Sequence, residues 1–223
     1  MELLTFNELP QGGFAGLREK QFVIDQRILQ GQKHPYAANG IGNFVYLADA
    51  SFRPYGETRM HPHKEVDVIS VMVEGRISHA GSLEHGQHLN TGDVQVQRAG
   101  GEGFTHNEIN PDGRENNMIQ LWVLPEQYGE PAGYKVYSPV PGMRTRIYGG
   151  SKSQAETFDS STFIDVALLE AEQSISHEGE VIAYLAKGEG VANGVAIKPR
   201  TLIRTTGLEL VAKSESQLIL IYN

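Results

Sequence analysis

The feature that most constrains this chain is the brevity of its apolar runs. Segments 44–47, 66–73, 93–97, 118–124, 145–148, 163–168, 181–185, 202–205 and 217–222 are rich in Val, Ile, Leu and Tyr. Glycine, which occurs 25 times, and proline, which occurs ten times, punctuate them. Runs this short, recurring at such intervals with Gly-containing turns, cannot supply long amphipathic helices and read instead as the strands of a sandwich or barrel. The one stretch that tempts a helical reading, 153–158, is short and polar, so a single turn or a loop is expected there. The fold class expected is all-β, with antiparallel strands.

A crowd of Pro125, Gly129, Pro131, Gly133, Pro139, Pro141 and Gly142 marks a linker or crossing segment. It divides the chain into expected domains at 1–130 and 131–223. The two parts echo each other. His63 precedes Val68-Ile69-Ser70-Val71-Met72-Val73-Glu74-Gly75, and His177 precedes Val181-Ile182-Ala183-Tyr184-Leu185-Ala186-Lys187-Gly188, with one residue less between His and Gly. This weak internal repeat suggests two similar β-barrels in one chain.

Composition narrows the chemistry. Without cysteine the chain has no disulfide framework, thiolate zinc site, iron-sulfur ligation or cysteine nucleophile, so His, Asp or Glu must hold any metal. With 27 acidic against 19 basic side chains the net charge is −8. That balance lacks the cationic footprint required by phosphate backbones and anionic lipid, which argues against direct nucleic-acid or membrane binding. The opening residues lack a signal-type apolar core, and no later window approaches the roughly 20 apolar residues of a membrane span. A cytoplasmic location is expected.

Six of the eight histidines fall between positions 61 and 106. His61-Pro62-His63 places two imidazoles at i and i+2, which in an extended strand share a face. Pro62 cannot donate to a ladder and marks an edge or a strand start. His106-Asn107-Glu108 repeats the spacing after a glycine-rich turn. If the two strands adjoin, three imidazoles and one carboxylate converge, a set suited to a divalent first-row metal and ill suited to calcium or magnesium. Asp67 shares parity with His61 and His63, so it is a candidate partner for a ligand imidazole, and Asn110 is a candidate to orient Glu108. His79, His85 and His88 surround a hairpin turn and read as exposed. Phe44, Phe52, Met60, Phe104, Met118 and Trp122 are candidates for an apolar pocket wall.

These residues resemble the cupin superfamily and, within it, the pirin family. Gly56, His61-Pro62-His63, Asp67 and Gly75 resemble the first cupin motif, with Asp where Glu is usual. Gly92, Gly103, His106 and Asn110 resemble the second. The start His-Pro-His-Lys, the phrase Met72-Val73-Glu74-Gly75, the run Gly92-Asp93-Val94-Gln95, His106-x-Glu108 and the strand from Gln120 to Pro125 are pirin-like. Lys64-Glu65-Val66-Asp67 departs from the family's Gly-Phe-Glu.

The resemblance implies a bicupin of two antiparallel β-barrels. The first would carry one divalent transition metal on His61, His63, His106 and Glu108. The second, with His177 alone, would carry none. Iron is the metal most associated with the family, and nickel, manganese, cobalt, copper or zinc also suit such a donor set. The resemblance further implies a quercetin 2,3-dioxygenase type of activity on a small aromatic substrate such as a flavonol, with Glu108 as catalytic proton acceptor. The alternative it implies is a redox-sensitive regulatory module that receives a protein partner, as described for eukaryotic relatives.

Overall fold

The computed structural model describes residues 1–83 and 86–223, and has no α-helix among them. No helix is long and apolar enough to cross a membrane. Its strands are β1 (Glu2–Thr5), β2 (Leu17–Ile24), β3 (Phe44–Phe52), β4 (His61–His63), β5 (Asp67–Glu74) and β6 (Arg76–Gly81). They continue with β7 (Gln87–Asn90), β8 (Val94–Arg98), β9 (Phe104–Ile109), β10 (Asn117–Val123), β11 (Gly133–Tyr137) and β12 (Arg144–Gly150). The last are β13 (Ser160–Leu169), β14 (Ser174–Lys187), β15 (Gly190–Ala192), β16 (Val195–Ile197), β17 (Thr201–Ala212) and β18 (Ser216–Tyr222). The ladders between them are antiparallel, as the turn-punctuated sequence requires. Residues 153–158 form turns and bends rather than helix.

The chain divides into two compact units, one of Leu9–Ser138 and one of Met1–Glu8 with Pro139–Asn223. The N-terminal residues belong to the second unit because β1 pairs with β17. The segment 133–137 belongs to the first because β11 pairs with β8 as the edge of its sheet.

The first unit pairs a six-stranded sheet, ordered β11-β8-β5-β10-β3-β2, with a four-stranded sheet, ordered β4-β9-β6-β7. Contacts from Ser70 to Glu108 and from Gln97 to His79 show that the two sheets face each other. Their shared interior changes character along its length. At one end Leu17, Phe52, Met72, Ile77, Leu89 and Met118 form a buried apolar cluster. Each such side chain contributes about 1.5–3 kcal/mol on removal from water.

Further along the six-stranded sheet come two cross-strand rows, each set by register. The first runs Ala48, Gln120, Ser70 and Gln95, and the second Tyr46, Trp122, Val68 and Gln97. The interior therefore passes from methionine and phenylalanine to amides and hydroxyls, and the histidines lie against that polar part.

The second unit is one eight-stranded sheet around a core that includes Val181, Ala183, Leu185, Ile203, Leu210, Leu218 and Leu220. A slip in the β14 register between His177 and Glu180 spans Gly179, whose φ of +87° suits a bulge. The echo between the halves has a structural counterpart. β5 is followed by Gly75 with φ +75°, and β14 by Gly188 with φ +87°, so each strand turns on a residue without a Cβ.

Candidate metal centre

β4 is only three residues long and forms the edge of the four-stranded sheet. Its ladder with β9 pairs His61 with His106, Pro62 with Thr105 and His63 with Phe104. Pro62 is exposed, and the two imidazoles flanking it share the inner face. One donor atom from each of His61, His63 and His106 lies within 4.8 Å of those of the other two. The Nε2 atoms of His61 and His106 stand 3.0 Å apart. Two nitrogens bound at right angles to one ion, each at about 2.1 Å, are separated by about that distance. The His61 Nδ1–H donates to the Arg59 carbonyl at 2.8 Å, which fixes the tautomer and turns the Nε2 lone pair toward His106. Among the described residues, His63 Nε2 and His106 Nδ1 are buried without a hydrogen-bond partner.

Burial and the neighbouring rings keep His63 and His106 neutral, the form that ligates. Burial, then His61, pushes His63 down to about 4. Burial, then His63, His61 and His79, pushes His106 down to about 2. In the unfolded chain both titrate near 6.5, so unfolded protein takes up protons that the fold refuses. The metal-free protein is therefore expected to hold full stability above about pH 6.5. Each of the two imidazoles should cost up to about 1.4 kcal/mol per pH unit as pH falls from about 6.5 toward 4. Glu108, whose carboxyl is raised by burial and so favours the fold as pH falls, offsets about one of them, leaving a net loss on the order of 1 kcal/mol per pH unit. Urea unfolding after chelation, repeated across that window, checks this; a flat midpoint would contradict it.

Glu108 is fully buried on β9 and lies outside the three-imidazole group. Its Oε1 accepts from the Ser70 hydroxyl at 2.6 Å and from Gln95 Nε2 at 2.9 Å. Gln95 Oε1 in turn accepts from the Tyr134 hydroxyl at 3.1 Å. The other oxygen, Oε2, is buried without a hydrogen-bond partner among the described residues. Burial raises this carboxyl to about 7, against the two hydrogen bonds that lower it.

Several expectations need correction. Asp67 does not keep the parity of His61 and His63: the chain kinks at Glu65, where φ is +54°, and β5 begins afresh beyond it. Asp67 is instead buried against Arg98, with Nε to Oδ2 at 3.2 Å, and Arg98 also reaches Glu130 at 2.7 Å. Asn110 does not orient Glu108. Its amide closes the following loop, donating to the carbonyls of Arg53 and Arg114, and Ser70 and Gln95 take the expected role. His79 is buried rather than exposed. It pairs in register with Glu108, its Nε2 is 3.1 Å from Gln97 Nε2, and its ring is 5.5 Å from that of His106. His88 is exposed, as expected, and His85 lies outside the described residues.

Of the six candidate wall residues, Phe44, Phe52 and Met118 are buried core and Met60 is 56% exposed. Phe104 and Trp122 do reach the centre, with rings 5.3 Å and 5.7 Å from that of His63. Phe14, which sequence reading passed over, meets His61 edge-on at 6.2 Å and is 48% exposed. In the second unit His177 packs at 4.2 Å on the ring of Tyr222.

Comparison with known proteins adds a family likeness. Residues 25–123 match the family model described as Pirin. The chain is 28% identical over 142 residues to a quercetin 2,3-dioxygenase of Escherichia coli K12, covering 60% of this chain and 61% of that one. It is 31% identical over 199 residues to Pirin-1 of Arabidopsis thaliana, covering 81% and 64%. The matched part thus spans less than two thirds of either relative. The fold superposes on the E. coli bacterial pirin YhhW in complex with nickel(II), with a TM-score of 0.80 at 18% identity, covering 99% of this chain and 97% of that one. The segment that matches the Pirin family model runs through the strands that bring the three imidazoles together, and the chain shares the fold of that bacterial pirin.

Proposed function

We propose that this protein is a metal-dependent dioxygenase of the quercetin 2,3-dioxygenase type, acting on a flavonol or similar aromatic substrate. In this reading His61, His63, His106 and Glu108 hold one divalent transition metal, iron foremost. The observation that carries it is the group of three imidazoles within 4.8 Å, of which His106 is fully buried, together with a buried carboxylate on the same strand as His106 whose Oε2 has no hydrogen-bond partner among the described residues. Buried polar atoms are rarely left unpaired, and a shared cation satisfies Glu108 Oε2 and His63 Nε2 together. The donor set fits such an ion: nitrogen and carboxylate donors suit iron, nickel or manganese and leave positions open for substrate. Bound there, the metal would supply Lewis acidity to a substrate oxygen and a route for electrons to dioxygen.

The chain's own residues supply the rest. Ser70 and Gln95 hold Glu108 through Oε1, which leaves Oε2 to be shared between the ion and the proton of a substrate hydroxyl. Phe104 and Trp122 exclude water beside His63, and half-exposed Phe14 and exposed Met60 offer a flat aromatic molecule an apolar rim.

The test is aerobic consumption of quercetin by protein loaded with iron or nickel. Turnover that falls more than about 100-fold in Glu108→Ala and His61→Ala is the expected result. No consumption with any metal tried would remove this substrate class. Metal binding has an independent readout, since the single tryptophan, Trp122, lies 5.7 Å from the His63 ring. Nickel or cobalt should quench its emission, and zinc should quench it far less. Identical responses to all three metals would place the ions elsewhere.

A further inference from the structure

The indole of Trp122 is fixed from two sides. One face stacks on Tyr46, with centroids 4.4 Å apart and planes 25° from parallel. Tyr46 is itself anchored, its hydroxyl donating to Glu19 Oε2 at 3.1 Å and accepting from Gln21 Nε2 at 3.2 Å. The His63 ring stands at 72° to the indole. Register places Trp122 in the inner row of the six-stranded sheet between Tyr46 and Val68, with Gln97 next along, the residue whose amide reaches His79. The ring therefore belongs to the interior that holds the imidazoles. Yet its Nε1 is buried and has no hydrogen-bond partner among the described residues.

An indole N–H is a donor only, so a cation held by the histidines cannot satisfy it, and the missing partner must be an acceptor. A buried donor left unpaired forfeits the bond it made with water. Of the other polar groups on this face, Tyr46, Ser70 and Gln95 are engaged with one another or with Glu19, Gln21 and Glu108, while Gln97 Oε1, an acceptor one strand further along across Val68, makes no hydrogen bond to the indole and is itself buried without a partner among the described residues.

We propose that the Trp122 N–H donates a hydrogen bond to an oxygen of the aromatic ligand bound beside the imidazoles, and so selects ligands that carry an oxygen at that place. This rests on the dioxygenase reading above and adds the residue that recognises the substrate. Trp122 is here a specificity-determining residue, with no part in proton transfer.

The experiment uses ¹⁵N-labelled full chain loaded with zinc, which is diamagnetic, and quercetin as the probe. The chain's one tryptophan gives one indole N–H resonance. On saturation with quercetin that resonance should move downfield and its exchange with solvent should slow. Trp122→Phe, which keeps a ring against Tyr46, should bind quercetin about tenfold more weakly at unchanged zinc content. An unmoved indole resonance while the backbone amides of Phe104 and His106 shift would overturn the inference and leave the dioxygenase reading intact. So would equal affinity in the variant. If no resonance moves at any quercetin concentration, the substrate class fails and this inference fails with it.

Discussion

Alanine at position 106 should leave the protein unable to retain metal. His106 is the hub of the cluster: its Nε2 is 3.0 Å from that of His61, its ring is 5.0 Å from that of His63, and it alone of the three is fully buried. Without it two imidazoles remain on a three-residue strand, too few to outcompete water for a divalent ion. Removing even the outer partners of metal ligands costs roughly 10- to 100-fold in affinity, and a direct donor should exceed that. Elemental analysis of dialysed protein should fall from near one ion per chain to a trace, while His88→Ala, altered at an exposed site, keeps its metal. Equal metal in His106→Ala and wild type would refute the centre.

Gly100→Ala should be among the most destabilising single substitutions in the first unit. Gly100 has φ +55° in the turn from β8 to β9, and a Cβ there would lie 2.0 Å from the Glu130 carbonyl oxygen. The approach is enforced: Gly101 N–H donates to that same carbonyl at 3.0 Å, and the Glu130 side chain pairs with Arg98. A left-handed backbone costs a non-glycine residue about 1–3 kcal/mol, and displacing a fixed main-chain segment adds to it. A loss of about 3 kcal/mol or more is expected, or roughly 10 °C in the melting midpoint. Because this turn leads into the strand of His106 and Glu108, metal affinity should fall with stability. Ala at Gly86, where a Cβ meets nothing within 4 Å among the described residues, shares a positive φ without the collision and should cost markedly less. Near-equal losses in the two variants would show that the Glu130 contact is unimportant.

The strands that carry long runs of Val, Ile and Leu were legible because their apolar content exceeds what one exposed face would need, and β3, β5, β10, β13 and β18 lie where those runs lie. The histidine pairs were legible because a two-residue period fixes a face without knowledge of the partner strand. What sequence could not show was which side of a strand is inside. Val94-Gln95-Val96-Gln97 reads as apolar inward and polar outward. All four are buried, and the glutamines face the interior to hold Glu108 and His79. His79 was misjudged for the same reason, its place on β6 taken from an adjacent turn. Short strands such as β7, β15 and β16 pack against neighbours that a local window cannot see.

The border position of β4 has one more consequence. Two of the three imidazoles hang from a strip whose middle residue, Pro62, cannot be stitched to its neighbour by its own nitrogen. An ion gripped by that strip and by β9 would act as a rivet at the hem of the sheet. Its departure should loosen a flap while the body of the barrel stays closed, so that the fit of the doorway and the presence of the ion are one mechanical property.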